Sequence, residues 1–320
     1  MLNSIIIDGL SFGLPLFILA LGGIYSERSG VTMLCAEGFQ GFGAFCGAFA
    51  VMVAQQSLGA SSKALIYIGL VVAILGGILF SVIHAVLCVF FRAEQVISGV
   101  IINILASALT VFATSYINKF VFGSPSNNFK IGVSQQFTIP VLSKIPVLGA
   151  VFTSVYPYEI IILIVAVIMW YVMYKTKYGY ALRACGENPQ AVDAAGGNVA
   201  FYRFTAVLIC GGLSGIGGMF FAYSLAGNYS SAIFAGYGYL AVAAMIFGNW
   251  DIPKTLLVCI FFGFAKSGGY QLCFAAGLSS NFSLLFQTIP YVLTIILLVF
   301  FSKHNHPPKA AGEFYDKGKR

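Results

Sequence analysis

Lys175–Arg203 reads KTKYGYALRACGENPQAVDAAGGNVAFYR, a polar interlude with four basic and two acidic residues in a chain that is otherwise nearly free of charge. Apolar runs flank it on both sides, Tyr158–Tyr174 before and Thr205–Leu225 after. Each is about twenty residues long, enough to cross a hydrocarbon core as a helix. Within the interlude, Asn188 suits an N-cap and Pro189 the first helical position, where a missing N–H costs nothing. Gly196 or Gly197 suits the left-handed residue that closes the far end. The stretch therefore predicts a short, capped helix standing out of a membrane domain, and such a helix either closes a loop or serves as a lever for a soluble partner.

Composition extends this reading to the whole chain. Of 320 residues, 59% are apolar and 8% charged, with a mean hydropathy of +0.91. Water-facing surfaces normally need about a quarter charged residues, so a soluble globular fold is excluded. Nor do the runs alternate as barrel strands do. The expected fold is all-α, a polytopic helix bundle of about nine (8–10) transmembrane helices. The spans read Ile5–Tyr25, Met33–Ala54, Ala64–Phe91, Val96–Ile117, Tyr158–Tyr174, Thr205–Leu225, Tyr237–Asn249, Lys254–Ala276 and Phe282–Phe301. The second is rich in glycine and the seventh is short. Either can be broken or re-entrant, which a bilayer tolerates only where protein or water satisfies the backbone.

Charge orients the bundle. With 175–203 in the cytoplasm, twelve basic residues fall inside: Arg28, Arg92, Lys175, Lys177, Arg183, Arg203, Lys254 and five in the tail. Four fall outside (Lys63, Lys119, Lys130, Lys144) and Lys266 stays within a span. This asymmetry places the N-terminus outside and the C-terminus inside. The membrane domain runs over 1–302, with 303–320 as a polar, loose cytoplasmic tail. The longest outer loop, 119–157, has room for a short helix lying on the membrane surface. The first span lacks a basic flank and a small-residue cleavage site, so it reads as a retained span.

The net charge of +7 is spread between spans, so it fits anionic lipid better than nucleic acid. Seven cysteines without CxxC spacing suggest neither disulfide nor metal, and His304 and His306 read as solvated. No nucleotide-binding loop, HExxH, GxSxG or paired carboxylates occur. No enzymatic chemistry or cofactor is therefore expected, and any ATP-driven step belongs to another chain. Glycines cluster at four-residue spacing in Gly43–Gly47 and Gly211–Gly218, giving small faces for close helix approach.

Polar residues inside spans are the better pointers to function, because their burial is costly. Glu37 and Gln40 share a face of the second span, Asn103 occupies the fourth, and Lys266 and Gln271 the eighth. These five suit a polar path for a hydroxyl- or amide-rich solute, or alternatively interhelical glue. His84 reads as a satisfied bundle histidine.

Four segments carry a resemblance. Ser26-Glu27-Arg28-Ser29-Gly30-Val31 with Ala36-Glu37-Gly38 resembles the "ERSGVVNIGLEG" opening of bacterial ABC importer permeases of the branched-chain amino acid/ribose-type superfamily, especially those for nucleosides and simple sugars. Ala93-Glu94-Gln95-Val96-Ile97-Ser98-Gly99-Val100-Ile101-Ile102-Asn103 is similar to their "NEVISGVALN". Leu182-Arg183-Ala184-Cys185-Gly186-Glu187-Asn188-Pro189-Gln190-Ala191 with Ala194-Ala195-Gly196 resembles the "LRAVGENPxAAxxAGI" coupling loop. Residues 237–250 are similar to "GxGFxxIAVALLGxW".

The resemblance implies a permease of the bacterial cytoplasmic (inner) membrane. Its partners would be a cytoplasmic ATP-binding subunit, an extracytoplasmic substrate-binding protein and a second, different permease. It also implies a coupling role for Gly186, Glu187, Asn188, Pro189, Gln190, Ala191, Ala194, Ala195 and Gly196. Two departures touch the path: Met33-Leu-Cys-Ala-Glu-Gly lacks the family's Asn, and Lys266-Ser-Gly-Gly269 stands where an acidic stretch is common. Nucleosides lead as the expected solute, with ribose or another simple sugar second. An ion-coupled secondary transporter would need no ATPase, and a non-transporting scaffold would tolerate Glu37→Ala and Asn103→Ala without loss of uptake.

Overall fold

The computed structural model describes all residues except 1, 60–61, 124, 133–136, 139–147, 154, 231–232, 278–281, 283–284, 302–304 and 318–320. His304, and residues 124, 133–136, 139–147 and 154 of the outer loop that has room for a surface helix, lie outside the described residues. The helices are α1 (Leu2–Arg28), α2 (Ala36–Leu58), α3 (Ala64–Ala85), α4 (Gln95–Phe122), α5 (Pro157–Lys175), α6 (Lys177–Glu187), α7 (Pro189–Ala194), α8 (Val199–Phe221), α9 (Tyr237–Phe247), α10 (Ile252–Ala275) and α11 (Ile289–Phe301). A 3-10 turn at Leu148–Phe152 and a two-stranded antiparallel ribbon stand apart from them. The ribbon pairs β1 (Asn128–Lys130) with β2 (Asn228–Ser230), Phe129 opposite Tyr229.

Among the described residues, seven helices are long and apolar enough to cross a membrane: α1 to α5, α8 and α10, with α3 and α8 counted through the π-helical turns that extend them. The expected all-α membrane bundle is what the chain forms. The Gly-rich second span is one unbroken 23-residue helix, because its glycines sit at helix contacts rather than at a kink. The seventh is the broken one: α9 has 11 residues, about 16 Å of helix, roughly half of a 30 Å hydrocarbon core. The ninth is described as helix over Ile289–Phe301.

The centre of the bundle is α1 and α8, buried over 72% and 78% of their apolar windows, against 39% or less for the other five. Small residues make this possible. A Cβ on Gly43 would collide with the Gly215 backbone, one on Gly215 with Ala73 O, and one on Gly211 with Ser81 and Gly77 O. On the other side of α1, Gly9 and Gly13 meet Gly263 and Cys259 of α10 in the same way. Lipid offers no hydrophobic drive between helices, so such close backbone approach is what holds α2, α3 and α8 together. His84 is fully buried and bonds Ser98 at 2.9 Å, as expected of a bundle histidine.

The expected loose tail is instead packed. Pro308 is buried, Ala310 is 3% exposed, and the backbone of the segment bonds to the ends of α1 and α6.

Overpacking the shared glycine face gives a direct check. Gly215→Val forces a branched side chain into the Ala73 carbonyl and should destabilise the protein by about 1–3 kcal/mol. A lower unfolding temperature in detergent, against an unchanged value for the half-buried Gly268→Ala (where an added Cβ meets nothing within 4 Å), is the expected result.

Candidate translocation and coupling sites

The segment between α1 and α2 is neither helix nor strand, so its backbone lacks a regular hydrogen-bond pattern and must find partners inside the membrane domain. Each residue from 31 to 34 does. Val31 N donates to Ser26 O at 3.1 Å, and Val31 O accepts from Ser26 Oγ at 2.9 Å. Thr32 N donates to Gln95 Oε1 at 2.8 Å, Met33 N to Glu27 Oε1 at 3.3 Å, and Leu34 O accepts from Asn103 Nδ2 at 2.7 Å. Asn103 also accepts from Gly38 N at 2.8 Å, which caps the start of α2, and donates to Tyr239 Oη at 2.9 Å.

The N-terminus of half-helix α9 receives the matching treatment. Glu37 is 5% exposed. Its Oε1 accepts from Gly236 N at 2.8 Å and its Oε2 from Gly238 N. A carboxylate at this end also meets the positive pole of the helix dipole. Gly236 has a φ of +83°, so the turn into α9 favours glycine there.

Glu37 and Asn103 line one groove of about 880 Å³ together with Ser107, Ser115, Asn127 and Tyr239. The groove runs along α4, where Asn103, Ser107 and Ser115 repeat at multiples of four residues and so form one stripe. That spacing was readable in the sequence but went unused. Tyr239 and the Gly236 and Gly238 amides were not foreseeable without the fold.

The other three candidates lie elsewhere. Gln40, fully buried, donates to Ile233 O at 3.2 Å beneath the groove, and its Oε1 has no partner among the described residues. Lys266 faces a separate cavity of about 130 Å³ with Tyr291 and Gln287. Its Nζ donates to Tyr237 Oη at 3.0 Å and sits 3.8 Å from the Phe12 ring centroid, a cation–π arrangement. Lys266 thus touches the same half-helix from the opposite side to Glu37. Gln271 pairs with Asp8 near the start of α1 and joins neither cavity.

At the other end of α1 and α9 three of the four resembling segments meet. Trp250 Nε1 donates to Glu27 Oε2 at 2.6 Å, and Arg28 Nε donates to Trp250 O at 3.2 Å. Arg28 also lies 4.0 Å from Glu187, the last residue of α6. Arg203, 4% exposed, donates to Ser29 O at 3.2 Å.

The polar interlude forms two short helices rather than one. Thr176 caps α6, accepting from Gly179 N at 3.2 Å. Asn188 caps α7, accepting from Ala191 N at 3.1 Å, with Pro189 at the first position. Gly196 follows at φ +82°, and Gly197 N closes back on Val192 O at 2.9 Å. Glu187 therefore ends α6 instead of opening α7.

Val192 tucks under α7 into a small cluster with Cys185 and Val199, where burial pushes the Cys185 thiol up to about 11. Gly186 and Pro189 are buried, whereas Glu187, Asn188, Gln190, Ala191, Ala194, Ala195 and Gly196 are exposed. The exposed set forms one continuous rigid edge.

Comparison with known proteins supplies the context. The profile of the family described as branched-chain amino acid transport system / permease component matches residues 5–301. The nucleoside ABC transporter permease protein NupC of Lactococcus lactis subsp. cremoris is 36% identical over 319 residues, covering 99% of this chain and 98% of that one. The guanosine ABC transporter permease protein NupQ of Bacillus subtilis is 37% identical over 323 residues, covering 100% and 98%. The putative glucose ABC transporter permease protein TsgC13 of Haloferax volcanii is 28% identical over 253 residues, covering 78% and 71%. No solved structure matches. With a family match over nearly its whole length and seven apolar spans, this chain is a multi-pass integral membrane protein and belongs to the branched-chain amino acid transport system permease components.

Proposed function

We propose that the chain is the membrane-spanning subunit of an ATP-driven nucleoside importer in the bacterial cytoplasmic membrane. The observation that carries the solute class is the end-to-end similarity to a nucleoside and a guanosine permease. The groove suits the same chemistry. Its side-chain lining offers an amide (Asn103), a phenol (Tyr239), hydroxyls (Ser107, Ser115) and a carboxylate (Glu37), donors and acceptors for ribose hydroxyls and base edges. A simple sugar is the second solute, on the likeness to a putative glucose permease.

A groove with a carboxylate cannot face lipid without cost, which supports a second permease closing it. The partners are then a cytoplasmic ATP-binding subunit, a second, different permease and an extracytoplasmic substrate-binding protein, with ATP hydrolysis on the separate subunit. The exposed edge of α7 is the docking element for the ATPase, and the tail segment 305–317 lies on the same cytoplasmic side. Closure of the ATPase displaces α7, and the helices around the groove expose it first outside, then inside.

Two variants and one purification test this. Mild-detergent purification of the chain should bring down an ATPase and a second permease; a lone, folded, monodisperse chain would favour an ion-coupled transporter instead. Asn103→Leu removes the cap of α2 and a polar wall of the groove, and guanosine uptake in proteoliposomes should fall at least roughly tenfold. Uptake at the wild-type rate would remove Asn103 from the path. Gly196→Val forces a branched residue to positive φ, a strain of about 1–3 kcal/mol. ATP hydrolysis by the assembled complex should then persist while uptake is lost. Normal solute-stimulated turnover in this variant would falsify the coupling role of α7.

A further inference from the structure

The tail grips more elements than any loop of its size needs for its own stability. His306 N donates to Asn249 Oδ1 at 2.9 Å, at the end of half-helix α9. Ala310 N donates to Gly186 O at 2.8 Å, at the end of α6. Gly312 N donates to Gly30 O at 3.1 Å, just past α1. Glu313 O accepts from Arg203 Nη1 at 2.7 Å, near the start of α8. Asp316 lies 3.4 Å from Arg92 and Lys317 3.5 Å from Asp193 of α7. Tyr315 packs against the Cys185, Val192 and Val199 cluster beneath α7.

These contacts differ in weight. The two ion pairs are exposed and contribute little. The backbone bonds around buried Pro308 and Ala310, and the charge-assisted bond from buried Arg203, are the stronger ones.

Along one strand of chain, then, the tail joins the docking helix α7 to the C-terminal end of α9. The opposite end of α9 is the one that Glu37 caps in the groove. An 11-residue helix is stiff on this scale, so movement imposed at Asn249 arrives at Gly236 as rigid-body movement. Asn249 and Trp250 both hold positive φ, +53° and +54°, which fixes the tight turn that presents Asn249 to the tail.

We propose that the C-terminal segment 306–317 is a positioning strap of the coupling machinery, carrying displacement of α7 to half-helix α9 and so to the groove. This rests on the reading of α7 as the ATPase-docking helix and goes beyond it, because it assigns transmission to residues outside the α6–α7 interlude.

The test uses the whole complex in proteoliposomes with its binding protein, ATPase and second permease. One variant ends the chain at His306; the other is Asn249→Gly, which tolerates the positive φ but deletes the side chain that holds His306 N. Gly196→Val in α7 serves as the control for docking itself. For both strap variants the ATPase should still co-purify, while stimulation of hydrolysis by liganded binding protein drops by roughly tenfold and uptake falls with it. Wild-type stimulation in Asn249→Gly overturns the proposal, as does loss of the ATPase from the truncated complex, which would make the tail a docking element. If the truncated chain does not fold, Asn249→Gly alone decides. A Gly196→Val complex with unchanged coupling would instead defeat the docking-helix reading, leaving the two failures distinguishable.

Discussion

Everything at the centre of this molecule depends on satisfying main-chain polar groups where water is absent. The segment from Val31 to Cys35 is non-helical, and α9 begins abruptly, with N–H groups that have no helical acceptor, within the bundle. Unpaired, each buried group costs on the order of 1–3 kcal/mol. Side chains from distant parts of the chain meet this demand: Gln95 and Asn103 for the non-helical segment, Glu37 for the start of α9. The polar residues that line the groove are therefore also the ones that allow its irregular walls to exist. At Glu37 and Asn103 the side chains that join elements of the bundle are the same ones that line the groove.

The same economy appears at the C-terminal end of α1. Glu27 accepts from Trp250 and from the Met33 amide, Arg28 holds the Trp250 carbonyl, and buried Arg203 reaches both Ser29 O and Glu313 O. Backbone carbonyls of the non-helical connections and tail, which no helical pattern satisfies, become the sockets for these arginines. Charges in this chain are few, and those at this end of the bundle are spent joining elements rather than solvating a surface. The small faces of α2, α3 and α8 act in parallel: glycines at their crossings let the three helices approach closely beside α9.

Much of this was legible beforehand. The spans, the Asn188 cap, the Pro189 start and the Gly196 closure follow from local rules, because capping and propensity act within a few residues. The shortness of residues 237–249 pointed to α9 as the irregular helix. Other expectations failed for long-range reasons. The tail's polarity suggested a loose end, but its contacts are backbone amides meeting carbonyls of Gly30 and Gly186, and amides carry no sequence signature. That a separate helix α6 runs up to Glu187 before the Asn-Pro pair opens α7 is also absent from the local signals, because the cap at Asn188 marks only the second start.

The sequence by itself determined that this is a membrane helix bundle, where most helices run, and that one capped helix projects from it, since hydropathy, length and caps are local properties. It also contained Glu37, Gln40, Asn103, Lys266 and Gln271 as buried polar candidates. Only the tertiary structure decided that Glu37 and Asn103 share a groove, that Lys266 reaches the same half-helix from behind, and that Gln271 pairs with Asp8 away from both. Those outcomes depend on how α2, α4, α9 and α10 are rotated against one another, and that rotation is fixed by glycine contacts between residues far apart along the chain.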